Sequence, residues 1–415
     1  MLPLGVGEKN QAGIDYYNNL INALLEAGIT PAVTLYHWDL PQALEDRGGW
    51  LEAEVADWFE EYARLCFTEF GDRVKFWITL NEPRETSLQG KEDVHFSSRY
   101  SSISHSLGYG NGAMAPGIIG PGTTAYIAAH NQIRAHAAAY RAYQVNHYIN
   151  DIVIKVKVRK CFMFQAEFVE RQGGQVGITL NVNWGEPEDD TDPAHLEASQ
   201  RFMDFFLGWY AHPIFVSGKY PEVREDDQEG SLYISSFHSQ IMRSMIDEKS
   251  AAQGFNESRL PHFSEEDSAM ILGSSDFLGL NIYTSYLVFP EEADIAEIDF
   301  YADQDVGSFQ DDTWTPTGAS WLKVRGNILP RMREFTRVLQ VTPWGIRSAV
   351  RWASERYNHP DIYITENGVS TKLRNLDDLH RWDLNRKRLV YCDVAGCIIS
   401  NTTSTRSSRR SGRTG

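Results

Sequence analysis

The feature that most constrains the fold is a repeated alternation of apolar, strand-forming segments with amphipathic helical segments. In the first unit, Ile14, Leu20 and Leu24 share helical spacing. Gly28 stands where helices commonly stop, and the apolar segment 29–38 follows. Further strands are predicted over 74–80, 176–184, 276–285 and 361–365, and further helices over 54–71, 123–145 and 343–358. Apolar strands alternating with helices predict a parallel sheet covered by helices. The expected fold is therefore α/β, with a (β/α)8 TIM barrel as its architecture.

Two of these strands run directly into a glutamate that has an asparagine beside it. FWITLNEP, residues 76–83, ends with Asn81, Glu82 and a proline, and DIYITENG, residues 361–368, contains Glu366. Chemistry in such barrels takes place at the carboxyl ends of the strands, so both glutamates are expected at one face. Two carboxylic acids across a pocket suit cleavage of a glycosidic bond: one donates a proton, and the other attacks or activates water. The alternative is that each glutamate only caps the helix after its strand.

Composition narrows the possible partners. The 415 residues carry a formal net charge of −17, with a pI near 5.2. Such a surface would repel nucleic acid and anionic membranes, which favours a neutral small molecule as the partner. No apolar segment is long enough to cross a bilayer, and no signal peptide is evident. The four cysteines fit neither a disulfide framework nor a zinc site. Oligomeric state and localisation stay open.

Taken together, these segments resemble glycoside hydrolase family 1, the β-glucosidase group that includes lactase-like enzymes. The matching pieces occur in the family's order and cover most of residues 8–382; they include AGITPAVTLYHWDLP, FWITLNEP, QVGITLNVNW, SRLPHF, DFLGLNIYTS and DIYITENGVS. Any one of these pieces alone would be a weak signal. The combination of NEP and TENG at strand ends, with YHWDLP upstream, is highly specific.

The resemblance implies a retaining mechanism on a β-D-glucoside or β-D-galactoside, with no cofactor and no metal. Glu82 would be the general acid and base, and Glu366 the nucleophile that forms a glycosyl-enzyme intermediate. The other implied roles are Asn81 at the sugar 2-OH, His37 and Trp38 at the glycone, Tyr283 as hydrogen-bond donor to the nucleophile, Asn281 as an orienting residue, and Trp321 in the aglycone platform. The histidine, the tryptophans and the tyrosine could instead be ordinary core residues. A different class of function is a catalytically inactive relative that binds glycans or a protein partner.

The resemblance also predicts an incomplete barrel. The chain starts beyond the family's second strand, and the match fades after residue 386, so strands one, two and eight of the barrel are expected to be missing. Residues 1–385 are interpreted as the partial barrel, and residues 386–415 as an unrelated, disordered basic tail. The strands at 29–38 and 361–365 would then be open edges, and we expect poor folding or weak catalysis.

Three segments interrupt the family's pattern, at residues 84–106, 146–171 and 325–340. The first of them begins with Arg84, where the family usually has an aromatic residue. The segment 389–400 is apolar enough to act as a replacement strand.

Overall fold

The computed structural model describes residues 1–88, 109, 120, 122–144, 172–222, 242–311, 313–314 and 342–368, and the backbone of 315–316, 340–341, 390–393 and 396–399. Trp321 and most of the three interrupting segments lie outside these residues. The strands are β1 (Pro31–Tyr36), β2 (Phe76–Asn81), β3 (Gln175–Pro187), β4 (Leu278–Pro290), β5 (Val306–Phe309), β6 (Thr315–Pro316), β7 (Gln340–Val341), β8 (Ile362–Glu366), β9 (Val390–Asp393) and β10 (Gly396–Ile399).

Helices occupy the connections between the strands. They are α1 (Gln11–Glu26), α2 (Gln42–Glu45), α3 (Val55–Phe70), α4 (Pro83–Leu88), α5 (Thr124–Gln144), α6 (Pro193–Met203), α7 (Trp209–His212), α8 (Met242–Ala252), α9 (Glu265–Ile271) and α10 (Pro343–Arg356). Short 3₁₀ turns cover Gly49–Leu51 and Ala302–Gln304, and π turns cover Asp204–Gly208 and Pro213–Ser217. None of the helices in the described ranges is both long and apolar enough to cross a membrane.

The ends of α1 show how local sequence sets the element boundaries. The Asn10 side chain accepts from the Gly13 backbone N–H at 3.2 Å and so satisfies one of the open donors of the first turn. At the other end, Gly28 adopts a left-handed φ of +70°, and the Ile29 N–H bonds back to the Leu24 carbonyl at 2.8 Å. This is the glycine-terminated helix end that the sequence predicted.

The sheet has the order of a (β/α) barrel. β1, β2, β3, β4 and β8 are parallel neighbours in that order, so consecutive strand–helix units lie side by side. β5 pairs antiparallel with the end of β4, and β6 with β7 in a separate ribbon. β9 pairs parallel with β1, and β10 antiparallel with β9. The edge of β1, which the sequence analysis expected to be open, is therefore occupied.

Aromatic packing fixes the helices against the outer side of the sheet. The Phe67 ring of α3 lies 5.0 Å, between centroids, from Trp77 of β2 and 4.8 Å from Tyr143 of α5. All three side chains are fully buried. Burial of a side chain such as Phe67 stabilises the fold by roughly 1.5–3 kcal/mol relative to exposure.

A register shift in β2 places polar groups on the inner side of the sheet. Thr79 points outward, where its hydroxyl lies 2.6 Å from Nδ1 of His136 on α5. Regular alternation would place Asn81 on that same outer side. The pairing of β2 with β3 is irregular between Ile78 and Asn81, and such irregularities commonly redirect a side chain. Asn81 contacts His37, which directly follows β1, and Asn281 of β4.

Candidate active site

Glu82 lies between the end of β2 and the start of α4, with a strained backbone. Its φ of +46° is left-handed, which is uncommon for any residue other than glycine and is often found at functional sites. The Glu82 N–H donates to the Thr179 carbonyl of β3 at 2.9 Å, and this bond holds the conformation. The side chain is buried, at 8% exposure. A carboxyl group with so little contact with water depends on protein groups for its hydrogen bonds.

Asn281 of β4 supplies such a hydrogen bond and connects three strands. Its amide nitrogen donates to Oε1 of Glu82 at 2.7 Å and to Oδ1 of Asn81 at 3.1 Å. Its carbonyl oxygen accepts from the Thr365 hydroxyl of β8 at 2.6 Å. The Asn281 side chain is fully buried, so these bonds are shielded from water. Asn281 therefore orients Glu82 relative to β8, the strand that carries Glu366.

Tyr283, two residues further along β4, contacts the second glutamate. Its hydroxyl donates to Oε2 of Glu366 at 2.5 Å. Burial raises the pKa of this phenol well above its ordinary value, and the negative charges of Glu366 and then Glu82 raise it further. Tyr283 therefore stays a protonated donor across the neutral pH range. The charges of Glu82 and Glu366 both act on this hydroxyl, so both carboxyl groups lie near Tyr283.

The end of β1 forms the side of the site next to Asn81. The Asn81 side-chain nitrogen lies 3.1 Å from Nε2 of His37, and the Trp38 indole N–H donates to the Asn81 carbonyl at 3.1 Å. An amide N–H can only donate, so His37 accepts at Nε2 and carries its proton on Nδ1. Trp38 has a left-handed φ of +72° and is 40% exposed, so part of its ring is accessible to a ligand. Asp39 accepts from the His37 backbone N–H at 3.1 Å and thereby braces this turn.

The structure thus brings together seven of the eight residues that the sequence predicted for the site. They are His37, Trp38, Asn81, Glu82, Asn281, Tyr283 and Glu366. Trp321 lies outside the described residues. Among the residues that the structure describes, no three or more His, Cys, Asp or Glu side chains are arranged to hold a metal ion.

Sequence reasoning missed several polar residues around this cluster. Thr365 supports Asn281, and the Asn367 side chain donates to the Ile282 carbonyl at 2.6 Å, which ties the segment after Glu366 to β4. Asn181 of β3 donates to the Glu85 carboxylate. A signal for Asn181 was present: it is a polar residue near the end of an apolar strand in LNVNW.

Two glutamates stand at the ends of parallel barrel strands, one buried and one half-buried, and Asn281 and Tyr283 of β4 contact them. This arrangement defines a class of protein, a barrel of the glycoside hydrolase type. The sequence model of the family described as glycosyl hydrolase family 1 matches residues 1–396 of this chain. The chain belongs to this family.

Curated relatives agree with the family assignment. The chain is 41% identical to lactase/phlorizin hydrolase of Rattus norvegicus over 364 residues, covering 88% of this chain and 15% of that protein. It is 35% identical to a cytosolic beta-glucosidase of Cavia porcellus, covering 93% of this chain and 67% of that protein. The chain therefore spans only a small part of the lactase/phlorizin hydrolase and about two thirds of the shorter relative.

Solved structures confirm the predicted fold class. Aphid myrosinase matches with a TM-score of 0.67 at 32% identity, covering 91% of this chain and 65% of that chain. A rice beta-glucosidase, solved in a covalent complex with Glc, matches with a TM-score of 0.64 at 34% identity, covering 91% and 66% of the two chains. The fold is that of a (β/α)8 barrel, of which the described strands form a contiguous part.

Proposed function

We propose that the protein is a retaining β-glycosidase of the β-glucosidase type, which hydrolyses terminal β-D-glucosides or β-D-galactosides by double displacement. The observation that carries this proposal is the pair of contacts made by β4: Asn281 holds Glu82, and Tyr283 holds Glu366. One strand thereby orients two carboxyl groups toward one space, as a two-carboxylate glycosidase requires. The relatives, which include beta-glucosidases and lactase/phlorizin hydrolase, support the same chemistry.

In the first step, Glu82 acts as the acid and Glu366 as the nucleophile. Asn281 can only donate to Oε1 of Glu82, so the proton of the neutral acid resides on Oε2. Glu82 transfers this proton to the glycosidic oxygen while the bond from that oxygen to C1 breaks. The Glu366 carboxylate forms a bond to C1 on the opposite face of the sugar, and the aglycone leaves as an alcohol.

In the second step, a water molecule replaces the aglycone. Glu82, now a carboxylate, takes one proton from the water while the water oxygen bonds to C1. The C1 bond to Glu366 breaks, and its electron pair returns to the carboxylate, where the Tyr283 hydroxyl stabilises the charge. Two displacements restore the original configuration at C1, and no metal or cofactor takes part.

The residues of β1 and β2 would bind the glycone. Asn81 would hydrogen-bond the sugar 2-OH, a contact that strengthens toward the oxocarbenium-like transition state. His37 would contact a neighbouring hydroxyl, and the exposed part of Trp38 would pack against the sugar ring. Trp321 remains a proposal for the aglycone side.

The test compares leaving groups in two glutamate variants. A nitrophenyl β-D-glucoside needs acid assistance, whereas a dinitrophenyl β-D-glucoside needs far less. We expect Glu82→Gln to lose about 10²–10⁴-fold in kcat/KM on the first substrate and much less on the second. Glu366→Gln is expected to lose activity on both. Glu26→Gln, the same exchange at an exposed position at the end of α1, is the matched control and should retain activity.

The same samples separate the rival function. A folded parent chain that binds a glucoside in calorimetry but hydrolyses neither substrate would support the catalytically inactive, glycan-binding alternative and overturn the proposal. Parallel measurements with the β-D-galactosides decide which sugar the site prefers.

A further inference from the structure

Arg84 and Glu85, which follow shortly after Glu82, form a buried ion pair. The sequence predicted no role for either residue. Arg84 and Glu85 belong to the first turn of α4 and are 2% and 4% exposed. Burying two charged groups is costly unless they pair with each other and with further hydrogen-bond partners. Their position in the chain, one turn from the proposed acid, raises the question of what this pair does.

The contacts of Arg84 explain how the position accommodates a charged residue. The guanidinium carbon lies 3.7 Å from the ring centroid of Phe206 and 5.4 Å from that of Phe300. A planar guanidinium can stack on aromatic faces in the way that a ring can. Nη1 of Arg84 lies 2.9 Å from Oε1 of Glu85, so the ion pair is enclosed by aromatic side chains on one side.

Two asparagines on adjacent strands hold Glu85 and Glu82. Asn181 of β3 donates to the Glu85 carboxylate, and Asn281 of β4 donates to that of Glu82. Asn181 and Asn281 are direct register partners, so their side chains point to the same side of the sheet. Neighbouring strands lie about 4.8 Å apart, which places the two carboxyl groups roughly 5–8 Å from each other. The Glu85 N–H also bonds to the Glu82 carbonyl at 3.0 Å.

We propose that the Arg84–Glu85 pair positions and tunes Glu82: the two opposite charges together set the pH at which Glu82 gives up its proton. The acid/base role of Glu82 comes from the proposed function, whereas the electrostatic effect on its proton does not depend on turnover. Glu85 favours the protonated acid, and Arg84 favours the carboxylate. A unit charge about 7 Å from Glu82, at an effective dielectric constant of about 20, moves its titration by about 1–2 pH units.

The groups around Glu82 allow this effect to be isolated. The other titratable groups described near it are His37 at the end of β1, Tyr283 on β4 and Glu366 at the end of β8. All three of these residues are retained in the variants at Arg84 and Glu85. On the opposite side of the pair, burial raises the pKa of Tyr210, with smaller and opposite contributions from the two charges.

The experiment measures the titration of Glu82 in single and double variants. The carboxyl ¹³C signal of Glu82 in glutamate-labelled protein is identified by its loss in Glu82→Gln and followed against pH. Glu85→Gln, which keeps the shape of the side chain, should move the titration down by about 1–2 pH units, and Arg84→Met should move it up by a similar amount. The double variant, which contains neither charge, should titrate near the parent, and Arg84→Lys should leave the titration in place.

The experiment tells failure of this inference apart from a variant that does not fold and from failure of the proposed function. Comparing either single variant with the double variant gives the direction in which each charge shifts the titration of Glu82. The double variant leaves no unpaired buried charge, so its folding should not be impaired by one. If the chain hydrolyses glycosides, the alkaline limb of its kcat/KM profile should shift with the ¹³C titration. If it does not, the proposed function fails but the NMR test still applies. Single variants that shift the titration in the same direction, or not at all, would overturn the inference.

Discussion

Removal of the Tyr283 hydroxyl tests the geometry of the site most sharply among single substitutions. In Tyr283→Phe, the ring keeps its place on β4, but the hydrogen bond to Oε2 of Glu366, 2.5 Å long, is lost. A hydrogen bond to a charged group is worth about 1.5–3 kcal/mol. At 1.36 kcal/mol for each factor of ten, kcat/KM should fall roughly 10- to 150-fold. In the proposed mechanism, Tyr283 stabilises the carboxylate that attacks and later leaves C1, and the variant lacks this contact.

The assay is hydrolysis of a nitrophenyl β-D-glucoside, with circular dichroism to confirm that each variant is folded. Burial and the charge of Glu366 raise the pKa of Tyr283, so the hydroxyl donates throughout the neutral range. The ratio of kcat/KM between Tyr283→Phe and the parent should therefore not change with pH in the neutral range. Tyr363→Phe is the control, because it makes the same change on β8 at a side chain that is 39% exposed. Equal activities of Tyr283→Phe, Tyr363→Phe and the parent would refute the reasoning.

Two further predictions concern stability. Asp303→Asn should lower the free energy of unfolding by about 3–5 kcal/mol in a denaturant titration, because it breaks a fully buried, two-bond ion pair with Arg259. The same exchange at Asp247, which is 40% exposed in its side chain, should cost less than about 1 kcal/mol, and equal effects would contradict the argument. Burial lowers the pKa of His136 from 6.5 to about 3, so only the unfolded chain takes up this proton between these values. The free energy of unfolding should thus fall as pH drops below 6.5. In His136→Gln this fall between pH 6.5 and about pH 4.5 should be smaller than in the parent by about 1–3 kcal/mol. The same pH dependence in variant and parent would contradict the argument.

Much of the barrel follows from the sequence because its strands are apolar throughout and its helices have a clear period. β2 and β8 were predicted over 74–80 and 361–365, close to the observed Phe76–Asn81 and Ile362–Glu366. The side-by-side order of these units follows from the tendency of consecutive strands in parallel sheets to lie next to each other. The sequence indicated that 389–400 could act as a replacement strand, but not that β9 would pair with β1, because pairing with a distant segment leaves no periodic signal in the chain.

The sequence predicted which residues form the candidate site, but not their geometry. The strand-end motifs located Glu82 and Glu366, and the resemblance supplied Asn281 and Tyr283. The left-handed backbone at Glu82 and the irregular pairing that turns Asn81 inward depend on contacts between strands. The burial of Arg84 was likewise hidden, because its compensation comes from Phe206, more than a hundred residues away in the chain.

The central claim is that Glu366 forms a covalent bond to the sugar, and trapping of that intermediate tests it directly. A 2-deoxy-2-fluoro glucoside with an activated leaving group slows both steps, the second more than the first, so the glycosyl-enzyme should accumulate. Digestion and mass spectrometry should find one fluoroglucosyl group on the peptide that contains Glu366 and none in Glu366→Gln. A folded, hydrolytically active chain that carries no label there, or carries it on another residue, would contradict the account.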